Sequence, residues 1–253
     1  MNWHIYASSI EGSSHLSKNL SCQDANQCRR VLTPWGEYAI IVVSDGCGTA
    51  KHADLGAKIV TTETLECLEA WLISPILTPD LSDLIEYSLG HAHQCLIRAA
   101  EHLSVSAEEL AATCICLVIG PDRYAAAQIG DGVIVRCSSG ICGCLFWQKQ
   151  EYANVTHSLT AKDWRDNMQI AGQTGSNLLP DSWFIATDGI QAISCDNKTK
   201  TPSSGFVPLL IDKFRSLSHL SEDRIQKSLE AFLRSEKVSS SVSDDKTIAI
   251  AFR

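Results

Sequence analysis

Apolar and polar positions alternate with different rhythms along this chain. From Tyr38 to Val43 six consecutive apolar residues, YAIIVV, run straight into Ser-Asp-Gly. A run without polar alternation predicts a strand buried on both faces. NWHIYASSI, residues 2–10, predicts an opening strand. From Ala53 to Leu72 the period changes: Leu55, Ile59, Thr62, Leu65, Leu68 and Leu72 recur at helical spacing. The segment SPILTPD, with its two prolines, ends that helix. Leu81, Leu84, Ile85, Leu89, Ala92, Leu96 and Ala99 then predict a second long helix, with Asp80 as its N-cap.

Beyond the helices the period shortens again. AATCICLVIG, RYAAAQIG, GVIVRCSS and GCLFWQKQ are short β-like runs broken by GPD, GDG and SSG, the pattern of an antiparallel meander. SWFIATDG predicts another strand. FVPLLIDKFRSL and SEDRIQKSLEAFLRS predict two helices, the second opened by Ser221, and TIAIAF predicts a last strand. Strands and helices therefore come in blocks. Blocks imply an α+β fold in which helix pairs cover antiparallel sheets, rather than alternating βαβ units. With no internal repeat or clean linker, residues 1–253 read as a single domain.

Composition narrows the classes. The formal net charge of -8 argues against a nucleic-acid surface, which needs clustered Lys and Arg. No apolar run reaches the roughly 18 residues of a membrane span. The start, MNWHIYASSIEGSSH, has no basic segment followed by a long apolar core, so a cytoplasmic location and no membrane contact are expected. Eleven cysteines in such a chain read as reduced thiols. Cys137, Cys142 and Cys144 cluster but lack the four-ligand spacing of a zinc site.

The candidate chemistry lies in the aspartates. VVSDGCG and FIATDGI repeat one pattern, an apolar strand ending in Ser or Thr, Asp and Gly, which puts Asp45 and Asp188 at the ends of two strands. AQIGDGVIV puts Asp131 between two strands, and VSDDKTIAIA puts Asp244 and Asp245 just before the last one. Asp-Gly is also a favoured hairpin turn. For Asp131, flanked by strands, turn and ligand are equally good readings. For Asp45 the turn reading is weaker, because a small-residue loop and a helix follow. Several strand ends meeting at one edge would present carboxylates together, the donor set that Mg²⁺ or Mn²⁺ takes. Two such cations sharing one Asp can hold a bridging hydroxide for in-line attack on phosphorus.

The ordered series CQDA, VSDGCG, AATCICLVI, IGDGVIV, FIATDGI and SDDKTIAIA resembles the metal-dependent Ser/Thr protein phosphatases of the 2C type, the PPM family, and in particular its compact bacterial members. Each motif alone is weak, but six in order over about residues 7–253 are specific. The resemblance implies an αββα sandwich, two antiparallel sheets each covered by a helix pair. It implies Asp45 as the aspartate bridging two Mg²⁺ or Mn²⁺ ions, the Gly46 carbonyl, Asp188 and Asp244 as further ligands, and Asp131 at a third, looser ion. Asp24, with Asp45 and Asp188, is implied in catalysis around the metal waters. Asp245 stands where the family has Asn.

The implied reaction is hydrolysis of phosphoserine and phosphothreonine by a metal-bridging water. The implied setting is bacterial signalling, with a phosphorylated protein as substrate, a cognate Ser/Thr kinase as partner, and a monomeric enzyme. The chain also departs from the family. Gln23 replaces the usual Glu, Asn19 stands at the phosphate-gripping Arg position with Lys18 or His15 as substitutes, and Cys47 replaces a His general acid, with His52 nearby. The stretch DWRDNMQIAGQTGSN reads as a reduced substrate flap. These departures motivate an alternative, an inactive phosphatase-fold module that binds a phosphoprotein or kinase. A cysteine-nucleophile phosphatase is excluded, since no Cys is followed by an Arg six residues later.

Overall fold

The structure is a computed structural model that describes residues 3–74, 80–147, 156–175 and 179–253. The chain opens with β1 (His4–Ile10) and a short helix α1 (Ser13–Lys18), then β2 (Asp24–Thr33) and β3 (Gly36–Asp45). Helices α2 (Ala53–Leu72) and α3 (Leu81–Leu103) follow. Asp80 caps α3 as the sequence predicts, its side chain accepting from the Ser82 amide at 2.7 Å. Next come β4 (Cys114–Ile119), β5 (Arg123–Ile129), β6 (Val133–Ser138), β7 (Ile141–Cys144), β8 (Gln169–Thr174) and β9 (Ser182–Ala186). Helix α4 (Asp188–Ser194), a small β10–β11 pair (Cys195–Asp196, Thr201–Pro202), helices α5 (Val207–Ser216), α6 (Glu222–Leu233) and α7 (Glu236–Ser239), and β12 (Lys246–Phe252) complete it.

Two five-stranded sheets form, in the orders β2-β3-β4-β5-β8 and β1-β12-β9-β6-β7, and all their pairings are antiparallel. Strand β3 explains why they stack. Its Ile40 and Val42 pack toward α2 and α3, while Ala39, Ile41 and Val43 pack toward the other sheet. The period-2 side-chain alternation of one strand therefore feeds two different cores, which is why the run shows no polar alternation. Strand β12 does the same from the other side: Ile248, Ile250 and Phe252 meet α5 and α6, and Ala249 and Ala251 face the first sheet. The layers are helix pair, sheet, sheet, helix pair, the αββα sandwich the sequence led us to expect.

The structure adds one strand and corrects three readings. Strand β2 carries the polar run DANQCRR and was invisible to hydrophobic periodicity, because it is an edge strand with a largely exposed face. The stretch read as a flap instead supplies β8, the opposite edge of the first sheet, over Gln169–Thr174; residues 176–178 lie outside the described set. The run GCLFWQKQ is strand only through Cys144, and residues 148–150 lie outside the described set. The cysteines are not all free: Cys137 and Cys142, cross-strand partners in the β6–β7 hairpin, form a disulfide, which also removes them from any zinc cluster. No described helix is long and apolar enough to cross a membrane.

Candidate metal centre

The carboxylates reach one edge of the sandwich by separate routes. Asp45 ends β3, and its backbone is fixed on both sides by Thr113. The Asp45 amide donates to Thr113 Oγ1 at 2.9 Å, and the Thr113 amide donates to the Asp45 carbonyl at 2.8 Å. Gly46 follows, its amide donating to the Gln23 carbonyl at 3.1 Å. Asp131 is not in a hairpin. Strand β5 belongs to the first sheet and β6 to the second, so Gly130-Asp131-Gly132 carries the chain across between sheets. Gly130 and Gly132 adopt φ of +87° and +93°, a conformation that costs other residues free energy but glycine little. Asp188 is the first residue of α4, and Gly189 beside it lets the Asp245 carbonyl approach to where a Cβ would sit.

These routes converge. Oxygens of Asp45, Asp131 and Asp188 lie within 4.8 Å of one another. Together with Asp244, Asp245, His15, Gln23, Cys47 and Thr113 they line a cleft of about 390 Å³. Five aspartates line it and, among the described residues, no Lys or Arg does. Burial, then mutual repulsion, raises the carboxyls. Asp188 is pushed to about 6 by burial and by Asp131 and Asp244. Asp45 is held well above the usual range by burial and by Asp24, Asp188 and Asp131. A converging set of hard oxygen donors with no Lys or Arg among the described lining residues fits a divalent cation of the Mg²⁺ or Mn²⁺ kind.

Asp24 sits apart from the cluster. It pairs across strands with Asp45, is buried, and is not part of the cleft wall. Thr187 Oγ1 and Thr247 Oγ1 both donate to its Oδ2, at 2.8 and 2.7 Å. Burial still pushes its carboxyl up to about 7, against the pull of those two hydroxyls. Cys47 does line the cleft. Burial, with Asp45 and Asp131, pushes its thiol up to about 12, so at neutral pH it is neither thiolate nor nucleophile. His52, Lys18 and Asn19 are not brought to the cleft wall.

One role escaped the sequence reading. Asp245, placed there just before the last strand and in an Asn position, is buried and organises the rim. It accepts from the Gly12 amide at 2.7 Å and the Gln23 amide at 2.6 Å, and it pairs with His15 Nδ1 at 2.8 Å. The partners lie more than 220 residues apart in sequence, so no local signal could have announced them.

The family model for Protein phosphatase 2C matches residues 11–234. The chain belongs to the protein phosphatase 2C family and is by class a serine/threonine-protein phosphatase. It is 28% identical over 254 residues to serine/threonine-protein phosphatase 3 of Escherichia coli strain K12, covering 99% of this chain and 98% of that protein. Among solved structures, the Stp1 phosphatase of Staphylococcus aureus matches with a TM-score of 0.65 at 14% identity, covering 100% of this chain and 96% of that one. The catalytic domain of the phosphatase PstP, solved with two manganese ions, matches with a TM-score of 0.63 at 13% identity over 99% and 97%. At these identities the structural likeness speaks for the fold.

Proposed function

We propose that this chain, acting as one catalytic domain over residues 1–253, hydrolyses phosphoserine and phosphothreonine in proteins with divalent cations held at the aspartate edge. The convergence of Asp45, Asp131 and Asp188 in a cleft that no Lys or Arg lines among the described residues carries the reading. Asp45, Asp188, Asp244 and the Gly46 carbonyl would hold two Mg²⁺ or Mn²⁺ ions, and Asp131 a third. Such cations, when bound, lower the pKa of water and neutralise charge on the phosphoryl oxygens.

The chain's own groups do the rest. Asp24, buried behind the cleft wall with its Oδ2 held by Thr187 and Thr247 and paired across strands with Asp45, would position Asp45 and through it the metal waters. His15, its Nδ1 against Asp245, stands on the cleft wall and meets the substrate phosphoryl group in place of the arginine missing at Asn19. Cys47 contributes no covalent step. The substrate is a phosphorylated protein in a bacterial signalling circuit, with a Ser/Thr kinase as its counterpart.

Hydrolysis of a phosphothreonine peptide with Mn²⁺, with EDTA, and by Asp188→Asn tests this. Turnover that EDTA abolishes and the substitution sharply reduces is expected. Absence of turnover in the Mn²⁺-loaded wild type would leave the fold as a partner-binding module.

A further inference from the structure

Helices α2 and α3 cover the outer face of the first sheet. There Glu63 of α2 meets His91 and Cys95 of α3, and none of the three lines the aspartate cleft. His91 and Cys95 are four residues apart and so share one helical face. Glu63 Oε2 lies 3.1 Å from His91 Nε2 and 3.3 Å from Cys95 Sγ, and Nε2 and Sγ lie 3.5 Å apart.

Those distances have a meaning. Zinc bonds of about 2.0 Å to N or O and about 2.3 Å to S, at tetrahedral angles, separate the donor atoms by about 3.3–3.5 Å. The triangle of Glu63, His91 and Cys95, with edges of 3.1, 3.3 and 3.5 Å, comes close to one face of such a tetrahedron. An ordinary Glu63–His91 ion pair requires no sulfur within reach of both partners. The donor set suits a borderline cation, since a thiolate and an imidazole select zinc over magnesium. Thiolate and carboxylate together balance a charge of +2. The His91 and Glu63 side chains are 42% and 33% exposed, so an ion has a path in and a water can take the fourth position. Arg98 Nη2 lies 3.1 Å from Cys95 Sγ and supplies an outer hydrogen bond to the thiolate.

We infer that Glu63, His91 and Cys95 form a second metal site, for Zn²⁺, that ties α2 to α3. It is separate from the phosphatase centre in position and in donor chemistry.

Cobalt(II) tests this on the full chain, because a Co²⁺–thiolate bond absorbs in the near ultraviolet and a Co²⁺–carboxylate bond does not. Saturating Mg²⁺ first occupies the aspartate edge, and Co²⁺ is then titrated in. The expected result is a charge-transfer band that saturates with a single equivalent and is displaced by Zn²⁺. Cys95→Ser removes the band, and His91→Ala weakens Co²⁺ binding by more than the roughly 10–100-fold that losing an outer partner costs. Asp188→Asn and Cys47→Ala keep it. His91 is 42% exposed and Cys95 half-buried, and circular dichroism of each variant checks that it folds. No band in the wild type, or a band that persists in Cys95→Ser, overturns the site.

Discussion

The interior between the sheets and the cleft at their edge obey opposite rules. In the interior the central strands find apolar partners on both faces, as β3 does with Ile40 and Val42 on one side and Ile41 and Val43 on the other. At the edge the same strands end in carboxylates that face one another, and burial raises Asp24, Asp45 and Asp188 instead of pairing them with cations. The interior stabilises the fold, and the edge by itself works against it. A folded protein keeps such repulsion where function uses it. The difference teaches that the sandwich is a scaffold rigid enough to hold an unfavourable arrangement of charge ready for a ligand.

The largest expected effect comes from attacking the interior. Phe184 of β9, fully buried against the α5–α6 layer, anchors the second sheet. Phe184→Ala is expected to lower unfolding free energy by about 3–5 kcal/mol, with or without Mn²⁺, as measured by urea denaturation. Equal loss in both conditions marks the interior as independent of the edge.

Attacking the edge should do the reverse. Asp188→Asn is expected to reduce turnover by about 10²–10³-fold, the scale of one electrostatic contributor to a transition state. It should also raise the melting temperature of the metal-free protein, because one repelling carboxylate is gone. A metal-free variant that melts lower than wild type would contradict the repulsion.

Acidity sharpens the contrast. Asp24 and Asp188 carry folded-state values of about 7 and about 6 against an ordinary 3.8. Between about pH 4 and pH 7 the metal-free folded chain therefore binds more protons than the unfolded chain, and its stability falls as pH rises through that window. A cation competes with those protons. Stabilisation by Mn²⁺ is expected to be small at pH 5 and to reach about 2.7 kcal/mol at pH 8 when Mn²⁺ is at 100 times its dissociation constant. Thermal melts with EDTA and with Mn²⁺ at both pH values read it out; stabilisation that is equal at pH 5 and pH 8 contradicts it.

The smallest effect tests the rim. His15→Ala leaves Asp245 with its two backbone donors and removes one group from the cleft wall. Turnover is expected to fall roughly tenfold, the value of about 1.4 kcal/mol, at unchanged melting temperature. A change in melting temperature without a change in turnover would make His15 a structural strut.

What could be read directly from the sequence was local. The all-apolar run of β3, the helical spacing of α2 and α3, the Asp80 cap and the Asp-Gly strand ends each follow from neighbours in the chain, because burial pattern and backbone preference act over a few residues. Edge strands β2 and β8 escaped, since a strand exposed on one side carries a weak pattern. For Asp131 the sequence left turn and ligand equally open, because a strand precedes and follows it in both; only the placing of β5 and β6 in different sheets shows that it closes no hairpin. The Asp45–Asp24 register, the His15–Asp245 pair and the Glu63–His91–Cys95 triangle belong wholly to the tertiary structure. Each joins residues from separate elements, and their distance is set by the packing of sheets and helices rather than by anything adjacent in the chain.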